Sequence, residues 1–137
     1  MADYLLDTNH ASPLVTIGHP LRAMFSERRE AGDTFALCVP VIVETKFGIG
    51  ILPRAKANLE EWQRLKPLLT VYAADANDAE LAVIFSLLCE KTVGSWRVLS
   101  ALIAAIALRY RLTLLTTDRD FQTVEGLLTE NWLARLA

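Results

Sequence analysis

Four acidic residues lie at or just beyond the ends of apolar segments, where buried strands give way to solvent. Asp7 ends the run Tyr-Leu-Leu, and Glu44 lies in the segment Val-Ile-Val-Glu-Thr-Lys-Phe. Asp118 follows the run 112–117, and Asp120 comes shortly after it. Carboxylates that gather at one point repel each other unless a cation or a proton lies among them. The pattern therefore makes metal chemistry the first hypothesis.

The type of donor indicates the type of metal. Oxygen ligands without a nearby His or Cys suit a hard cation such as Mg2+ or Mn2+ better than zinc. One or two such ions activate water and stabilise the charge on a phosphodiester during in-line displacement. His10 and His19 are predicted in a loop and a helix, and they lack the spacing of a zinc site. Neither GxGxxG nor GxxxxGK[ST] occurs, so no glycine-rich phosphate loop is expected.

Each acid also has a purely structural interpretation. Asp7 is a suitable N-cap for a following helix. Glu44 is equally compatible with a solvated helix face and with a segment that faces inward among Val41, Ile42, Val43 and Phe47. Asp118 and Asp120 are both typical turn formers, and for Asp120 the capping interpretation is preferred.

Length and composition predict one globular domain over residues 1–137. The chain has a mass of 15.2 kDa and is 53% apolar, which is enough for a substantial core and excludes a disordered chain. The formal net charge of -2 does not indicate a nucleic-acid-binding protein, so any contact with RNA must depend on local basic patches. No apolar run is long enough to cross a membrane, and no signal peptide is evident. Cys38 and Cys89 are expected as reduced core thiols, which predicts a cytoplasmic location.

Apolar patterning predicts alternating strands and helices. Short runs rich in β-formers predict strands at 4–6, 35–39, 69–73 and 113–116. Helices are predicted at 13–30, 40–52, 56–65, 77–89 and 98–110, with Pro20 bending or splitting the first of them. The alternation indicates a three-layer α/β/α domain with a central parallel sheet.

Two details of the fourth and fifth predicted helices matter later. Asn77 and Glu80 resemble a capping box at the start of the segment 77–89. Its apolar residues follow helical spacing and predict a buried stripe formed by Leu81, Ile84, Phe85 and Leu88. The segment 98–110 is apolar almost all round and should be central.

The predicted fold brings the acids to one place. Open α/β sheets form their sites beyond the carboxyl ends of the strands. Asp7 ends the first predicted strand, Asp118 follows the last one, and Glu44 lies about one turn into the helix after the second. All three are therefore expected at the same end of the sheet.

Several motifs in order resemble those of a known family. They are Leu-Leu-Asp-Thr-Asn at 5–9, Glu-Thr-Lys-Phe-Gly-Ile at 44–49, Ala-Leu-Ile-Ala-Ala at 101–105, Leu-Thr-Thr-Asp-Arg-Asp-Phe at 115–121 and Gly-Leu with Glu-Asn-Trp at 126–132. Together they resemble a PIN domain of the VapC toxin type over nearly the whole chain. The resemblance implies a PIN-like fold and a Mg2+- or Mn2+-dependent endoribonuclease, usually the toxin of a toxin–antitoxin pair. It also implies RNA as the substrate, a homodimer, and a small antitoxin protein whose tail enters the active-site groove.

The resemblance assigns roles position by position. Asp7, Glu44 and Asp118 match the metal-binding acids of the family, and Asp120 matches a position that is often acidic and assists. Three polar neighbours are expected to orient ligands or water, namely Thr8, Asn9 and Thr117.

One position departs from the family pattern. The family carries an aspartate immediately before the Ala-Leu-Ile-Ala-Ala segment, and this chain has Ser100 there. A neutral hydroxyl in place of a carboxylate is expected to weaken cation binding, most of all at a second metal site. Two interpretations stay open: Ser100 caps or packs the helix of an active enzyme, or the chain is a catalytically weak or inactive PIN-like binding module. A receiver-like domain would need a phosphorylatable aspartate on a middle strand, and the sequence has none at a suitable place.

Overall fold

The computed structural model of the protein describes residues 1–92 and 97–136. Its centre is a five-stranded parallel sheet with the strand order β3-β2-β1-β4-β5. The strands are β1 (Asp3–Leu6), β2 (Thr34–Cys38), β3 (Thr70–Tyr72), β4 (Thr113–Leu115) and β5 (Thr129–Glu130).

Helices connect and cover the strands. The α-helices are α1 (Thr8–Ala11), α2 (Pro20–Glu30), α3 (Val39–Gly50), α4 (Ala55–Leu65), α5 (Ala76–Thr92) and α6 (Val98–Arg109). Short 3-10 helices lie at Ser12–Val15, Lys66–Leu68, Arg119–Thr123 and Leu133–Leu136. No helix in the described part of the chain is both long and apolar enough to span a membrane.

The middle strand β1 is where the order of the strands reverses. It pairs with β2 on one side and with β4 on the other, and Leu6 lies opposite Leu115. The pairing continues one residue further, because Asp7 N–H donates to the Leu115 carbonyl at 3.0 Å. Such a switch point opens a crevice at the carboxyl edge of a parallel sheet. The sheet therefore forms a crevice directly beside Asp7.

The core lies on both faces of β1 and β4. Leu5 and Leu114 are fully buried, as near-continuous apolar parallel strands require. Helix α6 packs closely because its small residues, such as Ala104 and Ala105, are fully buried. This confirms the prediction that α6 is central.

The predicted α/β fold with a parallel sheet is confirmed, and all four predicted strands are present. The strand β5 was missed because two residues carry too little pattern to be recognised. Val39 was predicted at the end of a strand but begins α3.

The predicted helix over residues 13–30 is split into two, which is one of the two effects expected of Pro20. The structure has a 3-10 helix at Ser12–Val15 and a separate α2 that begins at Pro20. Pro20 occupies the first helical position, where its missing N–H costs nothing, and His19 caps the helix by accepting from the Leu21 N–H. His10 lies in α1 rather than in a loop.

The predicted buried stripe of α5 is only partly correct. Phe85 is buried, but Ile84 and Leu88 are more than half exposed. Both cysteines are buried as thiols rather than joined in a disulfide, as expected.

The cap of α5 is formed by different residues from those predicted. Asp75 accepts from the Asp78 N–H at 3.0 Å, and Asp78 accepts from the Asp75 N–H at 2.8 Å. Asp78 is buried and also binds Arg109 at 2.7 Å. The reciprocal pair is the capping box that the sequence placed two residues later, on Asn77 and Glu80.

Substitution of Asp78 tests this assignment. We expect Asp78→Ala to lower the free energy of unfolding by about 2 kcal/mol, because it leaves a helix N–H and part of the Arg109 guanidinium without an acceptor. Glu80 was predicted from sequence to belong to the cap but is exposed, so Glu80→Ala should change the free energy of unfolding by less than about 0.5 kcal/mol. Urea denaturation followed by circular dichroism measures both, and equal losses would contradict the assignment.

Candidate active site

Three of the predicted acids come from different elements and face the same crevice. Asp7 follows β1, Glu44 lies on α3, and Asp118 follows β4. The Thr8 hydroxyl donates to Glu44 Oε2 at 3.4 Å, which links the first two elements. Burial raises the pKa of Asp7 above its usual 3.8, and the charges of Glu44 and Asp118 raise it further. The carboxylates are therefore close enough to repel one another.

The Asp7 carboxylate is held by three donors. Its Oδ1 accepts from the Thr8 N–H at 2.8 Å. Its Oδ2 accepts from the Thr116 hydroxyl at 2.7 Å and from Asn9 Nδ2 at 3.2 Å. The hydrogen bonds from Thr116 and Thr8 lower the pKa of Asp7 but do not outweigh burial. Since each carboxylate oxygen accepts about two hydrogen bonds, Oδ2 is filled, and Oδ1 keeps one acceptor position open towards the crevice.

The bond from Thr8 also shows that Asp7 caps α1, as its structural interpretation predicted. Capping and a role in the site are compatible, because the cap uses only part of the acceptor capacity of the carboxylate.

Thr116 connects Asp7 with the loop that carries Asp118. Its hydroxyl donates to Asp7 and accepts from the Asp118 N–H at 3.0 Å. Asp118 Oδ1 accepts from the Asp120 N–H at 2.9 Å and so caps the 3-10 helix Arg119–Thr123. The cap is therefore Asp118, and the interpretation of Asp120 as the capping residue is wrong. Asp120 lies in the first turn of that 3-10 helix and is partly exposed.

Glu44 is partly accessible, with 31% of its side chain exposed. Its Oε1 lies 3.3 Å from Arg97, whose side chain is 66% exposed, so the ion pair is weak in water. The expectation that its segment faces inward holds only in part. Val41 is buried, but Val43 and Phe47 are largely exposed.

Ser100 lies in the first turn of α6 and is buried, with 7% exposure. The helix begins at Val98 and its N-cap is Arg97, so Ser100 does not occupy the N-cap position. Its burial agrees with the packing interpretation.

The donor set of the crevice fits a hard cation by its chemistry. It consists of carboxylate oxygens, and their mutual repulsion would be relieved by positive charge. Within the described ranges 1–92 and 97–136, no three His, Cys, Asp or Glu side chains already lie close enough together to hold a metal ion. Glu44 is instead paired with Arg97, and Asp118 is engaged in its cap.

The residues named from sequence as orienting groups lie in this network. Asn9 Nδ2 donates to Asp7, and Asn9 Oδ1 accepts from the Thr117 N–H at 3.2 Å. Sequence reasoning missed Thr116 and Arg97. The sequence contained a signal for Thr116, because it ends the predicted strand 113–116 and so lies at the same edge of the sheet as Asp7. No such signal pointed to Arg97.

The hydrogen bond from Thr116 yields a test based on pH. In the metal-free protein we expect Thr116→Val to raise the pKa of Asp7 further, because the carboxylate loses its hydroxyl donor. Thr116→Ser keeps that donor and should leave the pKa close to that of the unaltered protein. A pH titration of the Asp7 carboxyl carbon by NMR measures the difference.

The sign of the linked stability follows from the same shift. As the pH rises above 3.8, Asp7 loses its proton in the unfolded chain before it does so in the folded protein. The free energy of unfolding therefore falls with rising pH until the pH passes the raised pKa of Asp7 in the folded protein. Thr116→Val should deepen this loss over a wider pH range. Equal titration midpoints in the Val and Ser variants would contradict the assigned role of Thr116.

Comparison with known proteins places this geometry in a family. No curated protein matches the sequence. The chain resembles solved structures that include VapBC2 from Rickettsia felis bound to a promoter DNA fragment, with a TM-score of 0.81, 20% identity and coverage of 95% of this chain and 98% of that one.

Two structures from Mycobacterium tuberculosis also match. One is VapC20, a toxin that cleaves the sarcin–ricin loop, with a TM-score of 0.66, 17% identity and coverage of 91% and 96%. The other is VapBC-5, a member of a family of toxin–antitoxin systems, with a TM-score of 0.63, 18% identity and coverage of 96% and 98%. At these identities the likeness shows the fold. The model of the PIN domain family matches residues 4–127, and the chain therefore belongs to the PIN domain family.

Proposed function

We propose that the chain is a Mg2+- or Mn2+-dependent endoribonuclease of the VapC toxin type, and that residues 1–137 act as one PIN domain. The observation that carries the proposal is the approach of Asp7, Glu44 and Asp118 at the switch point of the sheet, where their charges raise the pKa of Asp7. The family membership and the likeness to an RNA-cleaving toxin support it.

In this proposal the three acids hold the cation. Asp7 contributes Oδ1, which keeps an acceptor position open, and Asp118 contributes the oxygen that its cap does not use. When bound, a divalent cation supplies positive charge that stabilises phosphodiester oxygens and makes a nearby water more acidic. Asp120, in the first turn of the 3-10 helix that Asp118 caps, assists.

Thr8, Asn9 and Thr117 act by orientation. Thr8 donates to both Asp7 and Glu44, which fixes the two carboxylates relative to each other. Thr117 fixes the Asn9 amide, which in turn donates to Asp7. A set of ligands that is oriented in advance loses less entropy when it binds a cation or substrate.

Arg97 supplies positive charge at the edge of this acidic crevice. The guanidinium pairs with Glu44 and is otherwise largely exposed. Since guanidinium groups bind phosphate well, the exposed part of Arg97 is suited to contact the RNA backbone at this edge.

Compared with the family pattern, Ser100 leaves the site with one carboxylate, and therefore one negative charge, fewer. The enzyme is therefore proposed to bind cations weakly, above all a second ion. The alternative function is a PIN-like binding module without catalytic turnover, and the buried, neutral Ser100 is the observation that favours it.

A nuclease assay with paired substitutions decides between the two. With Mn2+ we expect slow RNA cleavage by the unaltered protein and a loss of at least about 100-fold in Asp7→Ala, because even indirect supports of a metal site are worth about 10- to 100-fold. Ser100→Asp should raise Mn2+ affinity and cleavage by about tenfold, which corresponds to the attraction of one added nearby charge. Gel assays on a defined RNA and titration calorimetry measure these effects.

Two controls accompany that assay. Ser100→Asn adds similar volume without charge, and Glu125→Ala removes an exposed acid outside the crevice. Neither should change Mn2+ affinity by more than about twofold. If neither the unaltered protein nor Ser100→Asp cleaves RNA or binds Mn2+, the binding-module alternative replaces the enzyme.

The proposed partners are RNA, a small antitoxin protein and a second copy of the chain, in the cytoplasm. The structural likeness to toxin–antitoxin systems supports the antitoxin. An exposed apolar face formed by α3 and its C-cap residue supports the homodimer, and it consists of Val43, Phe47 and Ile51, each about two thirds exposed. Contiguous exposed apolar residues of this kind mark association surfaces in otherwise polar proteins.

Substitution of Phe47 tests the dimer. We expect Phe47→Ser to convert the protein from a dimer to a monomer, because it removes the largest apolar side chain of the α3 face. Leu128→Ser is the matched control, since Leu128 is equally exposed but lies before β5. Light scattering coupled to gel filtration gives the mass. A monomeric unaltered protein, or a dimeric Phe47→Ser variant, would refute the proposed interface.

A further inference from the structure

A fully buried histidine lies three residues after Asp7 and belongs to none of the roles described above. His10 is on α1, with no exposed surface. Burial lowers the pKa of His10 to about 4, so its ring is neutral at neutral pH. A neutral imidazole has one donor nitrogen and one acceptor nitrogen, and both are engaged here.

The partners of the ring determine which nitrogen carries the proton. The Trp132 backbone N–H donates to His10 Nε2 at 3.1 Å, so Nε2 is the acceptor. The proton must then be on Nδ1, which lies 2.7 Å from Asn9 Oδ1 and donates to it. The backbone of the C-terminal segment thus fixes the tautomer of His10.

This tautomer in turn fixes the amide of Asn9. Asn9 Oδ1 receives the N–H of His10 and the N–H of Thr117, so its Nδ2 must face the other way. A flipped amide would place its own N–H groups against these two donors, and loss of the hydrogen bond from the fully buried His10 ring is costly. Asn9 Nδ2 is therefore directed at Asp7 Oδ2.

We infer that His10 is a positioning residue for the Asp7 carboxylate, acting through Asn9. The inference rests on the proposed function, in which Asp7 holds the cation. With Asn9 and Thr116 both donating to Oδ2, rotation of the carboxylate is opposed and Oδ1 is left to face the crevice. Loss of the His10 N–H leaves only the Thr117 N–H to hold Asn9 Oδ1, so the amide turns more readily and its donation to Oδ2 is weakened.

The anchor of this relay is well fixed. The Trp132 ring contacts Tyr4 and Phe35 with centroid distances of 5.0 and 5.7 Å, and its Nε1 donates to Glu130 at 3.0 Å. Trp132 is buried. The orientation of Asp7 thus depends on a segment 122 residues away from His10 in sequence.

Mn2+ affinity, measured by calorimetry at a temperature where all variants are folded, tests the relay. His10→Phe fills a similar volume but removes both hydrogen-bonding nitrogens, and we expect it to bind Mn2+ about tenfold more weakly. His10→Gln, whose amide both accepts and donates, should recover most of that affinity. Leu21→Ala, a substitution in the same core, destabilises the fold by at least about 2 kcal/mol but should bind Mn2+ as the unaltered protein does.

A second measurement does not depend on folding of the variants. Long-range proton–nitrogen NMR of the unaltered protein should show His10 with its proton on Nδ1, and a proton on Nε2 would overturn the inference. Unchanged Mn2+ affinity in His10→Phe would also overturn it, as would an equal loss in Leu21→Ala. Absence of Mn2+ binding in the unaltered protein would refute the proposed function itself, whereas the NMR result would still decide whether the relay exists.

Discussion

The parallel pairing of β1 with β4 is the constraint on which the site depends. Leu6 and Leu115 are partners in this pairing, and the next residue on each strand leaves the sheet at the same edge. Asp7 and Thr116 are therefore brought together by backbone hydrogen bonds and by burial of the flanking leucines rather than by attraction between their side chains. The free energy of core formation offsets the cost of placing a partly desolvated carboxylate beside two others.

Apolar runs of the sequence were sufficient to predict most of this frame. Each buried strand is a short block of β-formers, and α6 is apolar on all sides because sheet and helices surround it. The position of Asp7, Glu44 and Asp118 at strand ends followed from the alternation of elements together with the general rule for parallel sheets. These features are local in sequence, which is why they are recognisable.

What the sequence did not reveal depends on contacts between distant residues. His10 has no spacing pattern of its own, and its role appears only when Trp132 is placed against it. The predicted capping residues lay two positions too late in both cases. Asp75 and Asp78 cap α5 instead of Asn77 and Glu80. Asp118 caps the 3-10 helix Arg119–Thr123 instead of Asp120. In both places acidic residues alternate closely, and only the path of the backbone decides which carboxylate points at a free N–H.

The relay between His10 and Trp132 has a consequence for the order of folding. A contact that closes a loop of more than a hundred residues forms late, because the chain entropy of closure must be overcome first. Local helices such as α5 and α6 can form early, yet the Asp7 carboxylate acquires its final orientation only when the C-terminal segment has docked. Partially folded molecules, including chains still emerging from the ribosome, therefore contain the acids of the site without its geometry. The geometry of the site is in this way tied to completion of the fold.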